Sequence, residues 1–141
     1  EVLLEEGVPA ERIQIAHTGD TDDLGYIEGL LDKGVYIGMD RYGLDLFLPT
    51  AQRNATVIEL LNRGYADRMF LSQDFDIPIA NGLDWYPLEV LEQLQAAGAA
   101  TDWSMTFIFE QVIPALREAG MTGDQLDTML VENPKRWLGR G

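Results

Sequence analysis

Cysteine is absent from this chain and histidine occurs once. Neither a disulfide framework nor a thiolate metal site is therefore possible, and any metal must be held by imidazole, carboxylate or backbone oxygen. Basic residues are scarce: 10 Lys and Arg face 24 Asp and Glu, a net charge of -14. That balance argues against nucleic acid and anionic membrane as partners, since both need a positive footprint, and leaves small neutral or cationic ligands open. No apolar run approaches the roughly 20 residues of a membrane-spanning helix. The opening Glu1-Val-Leu-Leu-Glu-Glu-Gly7 lacks the basic region and small-residue cleavage site of a signal peptide, so the cytoplasm is the expected location. What the chain does have is 46% apolar content over 141 residues, enough for the packed core of one domain.

Three short β-prone runs, each followed by an amphipathic helical pattern, organise the sequence. Residues 1–7 read as the end of a helix stopped by Gly7, an unusual start for a complete protein. Ile13 to His17 is the first strand, nearly continuous in apolarity as for a strand covered on both faces. Thr21 or Asp22 is placed to cap a helix from about Asp23 to Asp32. Val35 to Met39 is the second strand, followed by an apolar loop from Tyr42 to Pro49. Asn54 is placed to cap the next helix, whose stripe is Val57, Ile58, Leu60 and Leu61. Met69 to Ser72 is the third strand. Residues 75–86 read as a long functional loop over a strand end, and Pro87 opens a helix through Leu94. Met105 to Glu118 is an amphipathic helix in which Pro114 predicts a kink. A last helix spans about Gly123 to Val131, and Asn133 to Leu138 reads as a capped final turn. Strands alternating with helices predict βαβ units, a parallel sheet and right-handed crossovers.

In parallel α/β architectures reactive residues gather at the C-terminal ends of the strands, where the loops converge. His17, Asp40-Arg41 and Asp74 each meet that condition, and an imidazole beside a carboxylate suits a hard or borderline divalent metal. Two ligands are too few for a catalytic zinc, which takes three protein ligands plus water. Blander readings stand beside these. A strand-end His can be a hydrogen-bonded structural residue, and Asp74 can cap a turn. Arg41 can be an ion-pair partner of Asp40 or Asp45. Asp20, Asp22 and Asp23 can be a solvated cluster, and Trp85 and Trp103 suit packing as well as substrate contact. A flavodoxin-like ligand-binding domain is disfavoured, since no Gly-rich phosphate loop follows the first strand.

Longer motifs carry a resemblance. His17-Thr-Gly-Asp-Thr-Asp-Asp-Leu24, Gly38-Met-Asp-Arg-Tyr-Gly-Leu-Asp-Leu-Phe-Leu-Pro49, Leu71-Ser-Gln-Asp74 and Glu132-Asn-Pro134 are similar to the phosphotriesterase family of the amidohydrolase superfamily, and the Asp40-to-Asp45 loop to its phosphotriesterase-like lactonases. The resemblance implies an α/β fold: the last three βα units, strands 6 to 8, of a (β/α)8 TIM barrel plus a C-terminal helix. It implies two divalent metal ions, of zinc, cobalt, iron or manganese, in the intact barrel. His17 would be a metal ligand, and Asp74 a metal ligand and the catalytic proton acceptor. Arg41, Tyr42 and Trp85 would be substrate-binding, with Asp20 an acid behind the site. The implied activity is hydrolysis of lactones such as acyl-homoserine lactones, with organophosphate triesters as further substrates. The family's His-x-His, bridging lysine and strand 5 histidine have no counterpart here. The expectation is thus a chain active only with an N-terminal barrel segment, in an intact form that is a homodimer. The alternative is a catalytically silent half-barrel that acts as a scaffold or self-associates.

Overall fold

The computed structural model describes residues 1–75, 88–98, 100 and 102–139. Its centre is a three-stranded parallel sheet in the order β1-β2-β3, formed by Gln14–Ile15, Tyr36–Met39 and Met69–Leu71. The register pairs Ile15 with Ile37, and Ile37 with Met69. Helix α1 (Val2–Glu5) precedes β1, α2 (Leu24–Leu31) joins β1 to β2, and α3 (Thr50–Asn62) joins β2 to β3. The α/β alternation expected from the sequence is thus present. Helix α4 (Leu88–Ala96) follows the third strand, and α5 (Ile113–Glu118), α6 (Gly123–Asp127) and α7 (Asn133–Leu138) complete the chain. Among the described residues no helix is long and apolar enough to cross a membrane.

The period-two alternation of a strand sorts the sheet into two faces. Ile37, Met39, Met69 and Leu71 enter the main core with Ile27 of α2, Val57 and Leu60 of α3, and Leu116 of α5. Each such fully buried aliphatic contributes about 1.5–3 kcal/mol relative to exposure. On the other face Tyr36 stacks on Phe70 at 5.0 Å, and Trp137 of α7 meets Phe70 edge-on at 5.9 Å. Gly38 lies on the same face of β2 as Tyr36, two residues further along. A Cβ there would stand 2.6 Å from Gln14 Nε2 and 2.8 Å from Asp40 Oδ2, so a side chain at that point would have to displace the ends of both. β2 is wholly buried and β1 half-buried, as befits a central and an outer strand.

Several local expectations are corrected. The first strand is shorter than Ile13 to His17, because His17 leaves extended geometry at φ 58. Asp23, not Thr21 or Asp22, caps α2, its carboxylate accepting from the Tyr26 amide at 3.0 Å. Helix α3 starts at Thr50, ahead of Asn54: Asp45 accepts from the Thr50 amide at 3.0 Å and its hydroxyl at 2.6 Å, which satisfies the helix start from outside the helix. Pro114 follows a wide π turn at Ile108–Val112, where a longer hydrogen-bond spacing accommodates the missing proline N–H. The same device recurs at Thr128–Glu132 before Pro134, so residues 123–138 form one continuous run. Asn133 is accordingly not a solvated cap. It is fully buried and donates from Nδ2 to the carbonyls of Ala66 (2.8 Å) and Met69 (2.7 Å), pinning the last helix to the start of β3.

Candidate functional site

Just beyond the end of each strand stands one residue in left-handed backbone geometry: His17 after β1 (φ 58), Arg41 after β2 (φ 57) and Asp74 after β3 (φ 51). They are the only non-glycine residues with positive φ among those described. Such a conformation costs of order 1–3 kcal/mol per residue and persists where the surroundings over-determine it, as at ligand sites. The three strand ends thus turn out of the sheet in the same way.

Their side chains meet. His17 Nδ1 lies 3.7 Å from Asp74 Oδ2. Arg41 donates from Nε to Asp74 Oδ2 at 3.4 Å and from Nη1 to Asp20 Oδ2 at 2.7 Å, while its guanidinium carbon sits 4.5 Å from the centre of the Phe47 ring. The Arg41 pairing expected with Asp40 or Asp45 is therefore made with Asp20 and Asp74. Burial lowers the affinity of Arg41 for its proton, but the hydrogen bond and charge of Asp20, then those of Asp74, outweigh it and hold the group more basic than usual.

Asp40 has a different task. It accepts from the backbone N–H of His17 at 2.9 Å through Oδ2, and its Oδ1 stands 3.3 Å from His17 Nδ1. Burial pushes its carboxyl above the usual range, against the lowering effect of the hydrogen bond and charge at His17. A carboxylate beside Nδ1 favours the tautomer with its proton there and the lone pair on Nε2, the arrangement that orients metal-ligating histidines. The His17 and Asp74 side chains are 40% and 43% exposed, whereas Asp40 is 9%: two groups open to a ligand over a sealed support.

Beneath the site lies Arg53, fully buried, which donates to the carbonyls of Gly19 (2.7 Å) and Arg41 (3.0 Å) and reaches Asp20 Oδ1 at 3.4 Å. Sequence periodicity points only to its apolar neighbours, yet Arg53 lies one helical turn before Val57 on the same face, and a cation on a buried stripe needs a partner. Trp103 is a packing residue at the site's border. Its indole donates to the Gln73 carbonyl at 2.8 Å and packs edge-on against Phe75 at 5.0 Å. Gly43 (φ 92) lets the loop after β2 approach closely, since a Cβ would stand 2.7 Å from the Asp102 carbonyl oxygen.

Tyr42, expected at the substrate, is instead placed in the core. Its ring is wholly buried, with the Arg53 guanidinium carbon 5.1 Å from its centre, and burial pushes its hydroxyl above the ordinary phenol range. Trp85 and most of the long loop expected at 75–86 lie outside the described residues. As a ligand set, one imidazole and one carboxylate fit a divalent metal in kind. They fall short in number: among the described residues no group of three or more His, Asp or Glu is placed to hold one.

Comparison with known proteins agrees over the whole length. The sequence profile described as the phosphotriesterase family matches residues 1–138. An aryldialkylphosphatase of Saccharolobus solfataricus is 42% identical over 137 residues, covering 97% of this chain and 41% of that protein. The solved phosphotriesterase of Mycobacterium tuberculosis superposes with a TM-score of 0.84 at 40% identity, over 99% of this chain and 40% of that one. The organophosphorus hydrolase of Deinococcus radiodurans gives a TM-score of 0.79 at 34% identity, over 98% of this chain and 40% of that one. The chain thus spans about 40% of the length of these relatives. With sequence profile, relatives and fold in accord, the chain belongs to the phosphotriesterase family.

Proposed function

We propose that this chain supplies strands 6 to 8 of a (β/α)8 barrel that hydrolyses lactones, with organophosphate triesters as further substrates. The observation that carries the reading is the convergence of His17, Arg41 and Asp74, each from a different strand end and each in left-handed geometry. β1 and β3 are the outer strands of the described sheet, and closing them onto neighbours is what a barrel would do. His17 and Asp74 are the residues of this chain that would hold a pair of divalent ions, and the rest of the barrel would provide the other ligands. Bound there, the ions supply Lewis-acid polarisation and a water acidified to a pKa of about 7.

The chain's own groups do the remainder. Asp40 holds the His17 ring in one orientation and one tautomer. Asp74 takes the proton of the attacking water. Arg41, tethered by Asp20 and backed by Phe47, binds the substrate oxygen that gains charge as the carbonyl or phosphorus centre is attacked. With two donors of its own, the isolated chain is inactive.

Lactone and triester hydrolysis, measured with zinc or cobalt for the chain alone and after mixing with the missing barrel segment, tests the proposal. Activity is expected only in the mixture, and Asp74→Asn should abolish it. Full activity of the isolated chain would contradict the ligand count. A verified assembly that turns over neither substrate would sink the hydrolase reading and favour a silent scaffold.

A further inference from the structure

We propose that Arg53, a residue of α3 outside the ligand-facing surface, is the positioning residue that sets where the Arg41 guanidinium lies at the strand ends. The inference deepens the hydrolase reading as far as substrate binding is concerned; its geometric content stands without it.

Arg53 is fully buried on the face of α3 that carries Val57 and Leu60, where an aliphatic side chain would pack without desolvating a charge. Replacing a buried ionic group and its partners by apolar residues is often neutral or stabilising, so packing stability does not explain an arginine here. Its contacts do. Two of its donors go to the carbonyls of Gly19 and Arg41, which belong to the turns that leave β1 and β2. The Arg41 carbonyl is that of a residue in left-handed geometry, so Arg53 grips the very peptide whose conformation aims the Arg41 side chain.

The third donor completes a relay of position. The Asp20 carboxylate is divided, Oδ1 toward Arg53 and Oδ2 toward Arg41, and Arg41 then reaches Asp74 through Nε. With one oxygen tethered from below, the carboxylate plane is set, and with it the direction from which it holds Arg41. The turn packs tightly on this anchor: a Cβ on Gly19 would stand 3.2 Å from Arg53 Nε and 3.1 Å from the Asp40 amide nitrogen. A planar fork with fixed donor directions can serve three acceptors on two turns at once; the single ammonium of lysine cannot reproduce that geometry.

The test uses the full-length barrel labelled with 15N-arginine. The readout is the water-exchange rate of the Arg41 Nε–H, its resonance assigned by its loss in Arg41→Lys, together with KM and kcat for a lactone. In Arg53→Lys that rate should rise roughly tenfold, the scale of one charge-assisted hydrogen bond, and KM should rise more than kcat falls. Arg53→Gln keeps a planar donor at the buried position but cannot serve all three acceptors, and it should raise the rate likewise, so it decides the matter if Arg53→Lys does not fold. A folded variant of either kind with the parent's Arg41 exchange rate would overturn the proposal. A parent barrel that hydrolyses nothing, but whose variants show the faster exchange, would leave the positioning role intact and remove the hydrolase reading instead.

Discussion

Helix α3 carries an arginine near each end, and the two make similar lists of contacts with opposite consequences. Arg53 near its start is fully buried and serves two carbonyls and the Asp20 carboxylate. Arg63 at its end pairs with Glu28 of α2 at 2.8 Å and Glu59 of its own helix at 2.8 Å, with 38% of its side chain exposed. Arg53 ties α3 to the turns that leave β1 and β2, Arg63 ties it to α2, and each has several partners within hydrogen-bond reach. Water separates them. Around Arg63 solvent screens the charges and competes for the donors, so even a doubly paired surface arginine adds little. Around Arg53 nothing replaces a lost partner, and each acceptor left bare carries its full desolvation cost. A tally of ion pairs would treat the two ends of α3 alike; burial makes one an anchor and the other decoration.

Substitutions can break or sharpen that contrast. The largest effect is expected from Arg53→Met, which should lower unfolding free energy by about 3 kcal/mol by removing the donor of the Gly19 carbonyl and one donor each from the Arg41 carbonyl and the Asp20 carboxylate; denaturant melts of the assembled barrel measure it. Asp40→Asn comes next. It keeps the shape of the support under His17 but not the charge on Nδ1, and metal affinity should fall roughly 10- to 100-fold in a competition titration with a chelating dye. Tyr42→Phe removes a buried hydroxyl that has no partner within the described structure, so stability should be unchanged or rise by up to about 1 kcal/mol in the same melts. Smallest of all, Arg63→Ala should leave the melt unchanged within error, and any residual effect should vanish in high salt. If Arg63→Ala matched Arg53→Met, burial would not be the deciding variable.

Much of the fold could be read before any coordinates. The three apolar runs and the helical stripes between them announce a parallel sheet, and the polar residue closing each run marks the strand ends that meet at His17, Arg41 and Asp74. What escaped reading has physical reasons. The start of α3 is stabilised by Asp45, which belongs to the preceding loop, so no capping residue sits where a capping pattern looks for one. The π turns before Pro114 and Pro134 follow from how a helix absorbs a missing N–H, which periodicity does not encode. Tyr42 lies in a loop that looked greasy enough for a ligand, but the greasiness is partly spent inward, under Arg53. Arg53 itself was hidden because charged residues are expected on the polar face. The signal was there in its spacing from Val57, but its acceptors, the Gly19 and Arg41 carbonyls, lie in turns after two different strands, which spacing along α3 does not encode.

The central claim is that these strand ends hold part of a two-metal site, with His17 among its ligands. The most direct measurement is the number of divalent ions retained by the full-length barrel after exhaustive dialysis, for the parent and for His17→Ala. Two ions in the parent and fewer in the variant are expected; a parent that retains none, or a His17→Ala barrel that keeps both at undiminished affinity, would contradict the claim.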